Sequence, residues 1–304
     1  MTTALAPPEL RRDRYIQDVL ALTDRLSLRG LADRDDLVHR ARHPGGRTVV
    51  AALGSTLPER YLLVIHGFRL AQYLRSRFAD DTQVHARGLF AEPHKSGPGE
   101  ELHVIGIDDR SGRILRYVSL TGAADRRRLP LADPRRGRFP VEVAHGIRLF
   151  DLVPAAAGAD TGQVWEIKRL MRGGADAAAP GLLRMRMSLE LMLGFYTALG
   201  RLDPAPAYLI GDGEEGLAIR RLLRSLKHIT VIEGTHPALP PGDLLAPAYV
   251  HRREVKPFVA QAPHGAELAE LLRWLREALA APDPLAGFRE LVGRVHGEVK
   301  RVRA

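Results

Sequence analysis

Val164-Trp165-Glu166-Ile167-Lys168-Arg169-Leu170 decides how this chain is read. The run is apolar, yet it carries a carboxylate and a guanidinium three residues apart, and it breaks at Gly173-Gly174. Charge inside an apolar strand is costly unless a partner or a reaction uses it. Residues 163–171 read as a strand. Residues 182–199 read as an amphipathic helix, so the local order is strand, glycine loop, helix.

Working outward, residues 207–210 read as a strand and 214–226 as a helix with acidic residues in its first turn, where the macrodipole favours them. A strand follows at 229–232, and 249–259 holds a last one. Upstream, residues 101–107 and 113–120 flank Asp108-Asp109-Arg110-Ser111-Gly112. Aspartates that bond their own backbone and a glycine that accepts positive φ make this a β-hairpin. Residues 61–65 read as a strand and 68–78 as a helix.

The N-terminal stretch reads as helical. Tyr15, Val19, Leu20, Leu22 and Leu26 recur at helical spacing, which predicts a helix over 8–28. A second short helix is expected over 33–41, broken at His43-Pro44-Gly45-Gly46. Residues 48–53 fit either period, as do 147–153. Residues 121–140 are polar and basic, with Arg126-Arg127-Arg128 and Arg135-Arg136, and read as an exposed loop. Residues 267–280 and 285–303 read as two closing helices. Alternating strands and helices define an α/β fold with a mixed, twisted central sheet flanked by helices. The expected division is a helical extension over 1–58, a core over 59–262 and a helical segment over 263–304.

The chain has 304 residues, 45% of them hydrophobic, enough for a sizeable core. It has no cysteine, which excludes disulfides, thiolate metal sites and cysteine nucleophiles. Its net charge of +9 suits an anionic partner. No apolar run approaches the roughly 18–20 residues needed to span a bilayer, and residues 1–10 lack a secretory pattern, so a cytoplasmic location is expected. Nucleic acid is disfavoured, because interleaved aromatics are lacking. The twelve histidines include no His-Glu-x-x-His, and His94, His103, His228 and His236 form no ligand spacing, so no metal is expected. The acidic Gly211-Asp212-Gly213-Glu214-Glu215-Gly216 would repel a phosphate and is not read as a dinucleotide loop.

Residues 60–260 resemble the GNAT-type N-acyltransferases, and most of all their acyl-homoserine-lactone synthase and N-acyl amino acid synthase branch. The matching stretches are Val104-Ile105-Gly106-Ile107-Asp108, Gly112-Arg113-Ile114-Leu115, Phe150-Asp151-Leu152-Val153-Pro154 and Val164-Trp165-Glu166-Ile167-Lys168-Arg169. The resemblance implies a bacterial-type GNAT fold that moves an acyl group from a thioester to an amine. The donor is then acyl-CoA or the phosphopantetheine thioester of an acyl-carrier protein. The acceptor is an amine of a small metabolite or amino acid. At one position the chain departs from autoinducer synthases: Ser119 stands before Leu120 where they carry arginine, and Arg116 falls on the other face by strand alternation. This weakens S-adenosylmethionine as acceptor and leaves general acyl transfer standing.

Within this frame Glu166 and Arg169 are the candidate catalytic residues, with Glu166 orienting or deprotonating the amine. Residues three apart on a strand point to opposite faces, unless a bulge redirects them. Leu170, Met171, Arg172, Gly173 and Gly174 are the candidate donor-binding backbone, since glycines permit close approach and a helix N-terminus favours anions. The loop 173–181 is longer and richer in alanine than the family's phosphate loop, which favours a carrier-protein donor. The basic residues 126–138, with Arg184 and Arg186, are a candidate surface for an acidic acyl-carrier protein. Met171, Met185, Met187 and Met192 are candidates for an acyl tunnel or a packed core. The alternative function is a non-catalytic GNAT-like ligand-binding or interaction module. The sequence leaves the oligomeric state open.

Overall fold

Strands rich in Val, Ile and Leu, with side chains on alternating faces, build one sheet, nine-stranded among the described residues, in the computed structural model. It describes residues 8–93, 99–123, 127–174, 179–214, 226, 228–240, 242–252, 254–295 and 298–304. The strands are β1 (His39–His43), β2 (Arg47–Leu53), β3 (Glu101–Asp108), β4 (Ile114–Gly122), β5 (Val164–Arg172), β6 (Tyr208–Glu214), β7 (His228–Glu233), β8 (Val255–Gln261) and β9 (Glu298–Arg303). Their order is β1-β2-β3-β4-β5-β6-β8-β7-β9. The β5–β6 and β7–β9 pairs are parallel and the others antiparallel.

The helices are α1 (Pro8–Thr23), α2 (Glu59–Arg75), α3 (Asp81–Ala86), α4 (Pro140–His145), α5 (Leu149–Leu152), α6 (Gly181–Leu199), α7 (Ala246–His251), α8 (Gly265–Ala280) and α9 (Pro284–Val295). One face of the sheet is covered by α6, α8 and α9: Leu189, Met192, Phe195 and Leu275 pack on Val104, Val118, Trp165 and Leu209. The other face is covered by two separate apolar clusters. Val19, Ile65 and Leu70 of α1 and α2 lie with Val50, Ile105 and Tyr117. Leu131, Phe139, Leu149 and Phe150 lie with Val164, Ile210 and Val259. Val164 belongs to the second cluster and Met171 to the first, so the middle of β5 forms the seam between them.

The mixed α/β sheet, the 101–120 hairpin and the strand around Glu166 stand where the sequence put them. The hairpin turn is closed by the Asp108 carboxylate, which accepts from Ser111 N–H at 2.7 Å, with Gly112 at φ 71°. Three local expectations are corrected. Residues 61–65 lie inside α2, because a short apolar run carries no reliable period and Tyr61, Ile65 and Phe68 share a helical face. The helix expected over 33–41 is replaced by a 3-10 turn, Leu31–Asp33, and by β1. Pro44-Gly45-Gly46 is the hairpin turn between His43 and Arg47, and pairing with β2 overrides the helix propensity of Arg and Ala. The last helix stops at Val295. Residues 298–303 alternate Val299 and Val302 with charge and pair with β7, so helical additions alone do not describe either end of the chain. The helix expected over 214–226 falls almost wholly outside the described residues, as do His94 and Arg126.

The basic 121–140 segment is not simply a solvated loop. Arg136 is buried and meets Glu142 through two bonds of 2.7 Å, while Glu142 also accepts from Phe139 and Leu149 N–H groups. Arg127, Arg128, Arg135 and Arg138 remain on the surface. The methionines divide between faces, Met171 with the α2 cluster and Met185 and Met192 with α6, so they line no common tunnel.

Candidate functional site

β5 is bulged. Ser119 of β4 pairs with Lys168 and Tyr117 pairs with Met171, so two steps on β4 match three on β5. Arg169 takes up the difference with φ 59°. The bulge overturns simple alternation: Arg169 reaches Glu101, whose cross-strand neighbour Thr121 also pairs with Glu166. Glu166 and Arg169 therefore lie on one face, the redirected case.

The structure nevertheless gives the two residues different surroundings. Arg169 joins a closed lattice with Arg69, Glu92 and Glu101. Its Nη2 donates to Glu92 at 2.9 Å and its Nη1 to Glu101 at 3.4 Å. Arg69 Nε donates to Glu92 at 2.5 Å and its Nη1 to Glu101 at 3.1 Å. Two guanidiniums alternate with two carboxylates, so the charges cancel. Burial pushes the Glu92 carboxyl up, but Arg169 and Arg69 outweigh it and hold it at about 2. Beside the lattice, burial pushes His103 down to about 3, leaving it neutral, with Nδ1 2.8 Å from Tyr117 Oη.

Glu166 sits on the seam with 5% exposure. Its Oε2 accepts from Val141 N–H at 3.4 Å, and Lys168 Nζ lies 3.4 Å from Oε1. Burial pushes the Glu166 carboxyl above its ordinary value; Lys168 draws it back and the Asp212 carboxylate pushes it up again. Burial also pushes the Lys168 ammonium down, against the pull of Glu166. A buried carboxylate raised in this way is a better proton acceptor near neutral pH than an exposed one.

Glu166 marks the end of the paired register between two parallel strands. Val164, Trp165 and Glu166 pair with Tyr208, Leu209 and Ile210, and the register ends there although both strands continue. Asp212, two residues on, faces the same seam. It accepts from Tyr249 Oη at 2.6 Å, lies 3.3 Å from His145 Nε2, and has Arg252 at 3.9 Å. Helix α4 spans the gap, bonding β5 through Val141 N–H and β6 through His145. In the sequence Asp212 belongs to the acidic 211–216 stretch, whose charge only argued against a dinucleotide loop. The signal was strand alternation, which puts Tyr208, Ile210 and Asp212 on one face. His145 and Tyr249 come from distant segments and carried no local signal.

Of the candidate donor-binding residues, Leu170, Arg172 and Gly174 are exposed, while Met171 and Gly173 are buried. Gly173 N–H donates to Leu115 O at 2.7 Å, so that amide is already used by the hairpin. A Cβ there would lie 2.1 Å from Ile114 O. Overpacking against backbone costs about 1–3 kcal/mol. Gly173→Ala is therefore expected to lower stability in urea unfolding by that order, and unchanged stability would refute this packing role. Two cavities, one lined by Tyr208, His228 and Lys300 and one by His43, Glu190 and Arg276, do not reach Glu166. Among the described residues, no cluster of three His, Asp or Glu could hold a metal ion. No helix among them is long and apolar enough to cross a membrane.

The fold is thus a mixed α/β sheet with a bulged strand that pairs with its parallel neighbour over three residues. No protein-family model matches the chain, and no curated protein matches it. Among solved structures, the crystal structure of the AHL synthase LasI is similar at 13% identity, with 74% of this chain and 94% of that chain covered and a TM-score of 0.40. The structure of a CoA-dependent acyl-homoserine lactone synthase, BjaI, with SAM and isopentyl-CoA is similar at 15% identity, with 80% and 89% covered and a TM-score of 0.38. Both carry the name of the branch that the sequence resembles. At these values the fold rests on this chain's own strand order and register.

Proposed function

We propose that this chain is an N-acyltransferase that moves an acyl group from a thioester, on coenzyme A or on the phosphopantetheine arm of a carrier protein, to the amine of a small metabolite or amino acid. The observation that carries the reading is the parallel pair β5–β6, which is joined through Glu166 and Ile210 and has no register beyond them. A strand released from its neighbour offers free backbone N–H and C=O groups, which suit the amide-rich pantetheine arm. Glu166, at the closed end of that fork, accepts the amine proton as the nitrogen attacks the thioester carbonyl; the C–N bond forms, the C–S bond breaks and the thiol leaves. Arg169 acts as a positioning residue, since its ion pairs hold the bulge. Leu170, Arg172 and Gly174 remain the donor-binding candidates, and surface arginines 127, 128, 135 and 138 suit an acidic carrier protein.

The test is incubation of the full chain with medium-chain and long-chain acyl-CoA and acyl-carrier protein in the presence of amino acid pools, followed by mass spectrometry for new N-acyl products. Product formation that depends on Glu166 supports the reading. A non-catalytic ligand-binding module is favoured by one observation, the ion pair from Lys168 that occupies Glu166; it predicts binding of acyl thioester without turnover.

A further inference from the structure

Thr235, His145 and Asp212 form a hydrogen-bonded chain that the transfer reaction above does not use. Asp212 accepts from Tyr249 at 2.6 Å and stands 3.3 Å from His145 Nε2. Burial pushes the Asp212 carboxyl up, but the bonds from His145 and Tyr249 outweigh it and keep it below its ordinary value. An ionised carboxylate can only accept, so the geometry assigns the Nε2–H tautomer to the neutral imidazole, with Nδ1 as its acceptor. Nδ1 lies 2.9 Å from Thr235 Oγ1, so the hydroxyl donates to it.

The His145 side chain is fully buried, whereas Thr235 is half-buried just past β7. The chain of bonds thus links two half-buried residues, Asp212 and Thr235, through a fully buried imidazole. Ala238 N–H donates to Ala144 O at 2.8 Å and ties the Thr235 segment to the helix that carries His145. A hydroxyl, an oriented imidazole and a carboxylate in this order are the parts of an activated nucleophile.

We propose that Thr235 is a nucleophile for activated acyl esters and thioesters, with His145 as its base and Asp212 orienting the imidazole. Thr235 Oγ attacks the acyl carbonyl carbon and forms an ester. The bond from that carbon to the leaving oxygen or sulfur breaks. The hydroxyl proton passes to His145 Nδ1 and then to the leaving alcohol or thiol, while Asp212 stays ionised beside the imidazolium. Water, deprotonated by the same nitrogen, then hydrolyses the Thr235 ester. This activity does not rest on Glu166.

The experiment treats the full chain with p-nitrophenyl butyrate and with butyryl-CoA, without any amine, and follows leaving-group release, intact mass and the labelled peptide. The expected result is a burst of leaving group with a butyryl ester on the peptide that contains Thr235. Thr235→Val, nearly isosteric and expected to melt as the parent does, abolishes both; Thr235→Ser retains them. His145→Gln slows labelling by roughly 10²-fold or more, the usual worth of a positioned base. No ester on the parent chain, an ester on another residue, or full labelling of Thr235→Val overturns the proposal. Glu166→Gln keeps the labelling, so failure of the amine transfer and failure of the Thr235 ester are read separately.

Discussion

Glu166→Gln is expected to lower the rate of amine acylation by roughly 10²- to 10⁴-fold, the range typical of a positioned general base. The amide keeps the size of the side chain and one acceptor for Val141 N–H, so the fold is expected to persist. The parent's activity should also rise with pH along an acidic limb that lies above the ordinary carboxylate range. Burial pushes the Glu166 carboxyl up, with Asp212 adding to the push, and only the ionised form accepts a proton. Steady-state rates of N-acyl product formation from pH 4 to 9 check both expectations. An acylation rate in the variant equal to the parent's removes Glu166 from the chemistry, and a limb at the ordinary carboxylate value removes the buried-base account.

The second large effect concerns stability. Arg69→Met is expected to destabilise the fold by about 3–5 kcal/mol, because removing one member of a buried ion-pair set leaves uncompensated charge behind. Arg69 is 3% exposed and faces both Glu92 and Glu101. The double variant Arg69→Met with Glu92→Leu should recover part of that loss, since apolar replacement of both partners is often neutral. Urea unfolding at pH 7 measures both. A loss below about 1 kcal/mol in the single variant would place the lattice among weak surface pairs. The same lattice sets an acid limit. Glu92 is held at about 2 against an ordinary value of 4.5, burial pushing up and Arg169 and Arg69 pulling down harder. A depressed carboxyl contributes stability above its unfolded value and loses it as pH falls through the folded one. Stability should therefore drop between pH 4.5 and 2, less steeply in Glu92→Gln than in the parent.

Much of this fold was legible because its signals are local. The hairpin around Gly112 and the strand and helix on either side of Gly173-Gly174 each follow from composition and period within a single segment. Glu166 stood out because a carboxylate in an apolar strand requires a partner, and the structure supplies Lys168 and the Val141 N–H. Local signals also misled. Residues 39–43 and 298–303 became strands because β2 and β7 offered edges, and no local propensity records the presence of a neighbour. Residues 61–65 joined a helix because the α2 face was needed to cover Ile105 and Tyr117.

By itself the sequence determined the α/β class, the central strand and the buried carboxylate on it, since period and the cost of burying charge act within a few residues. Tertiary structure alone decided that the bulge turns Arg169 onto the face of Glu166, that Glu92 and Glu101 capture it, and that Asp212 and His145 meet from segments 67 residues apart. Those outcomes depend on register and on contacts between distant strands and helices, which exist only once the sheet has closed.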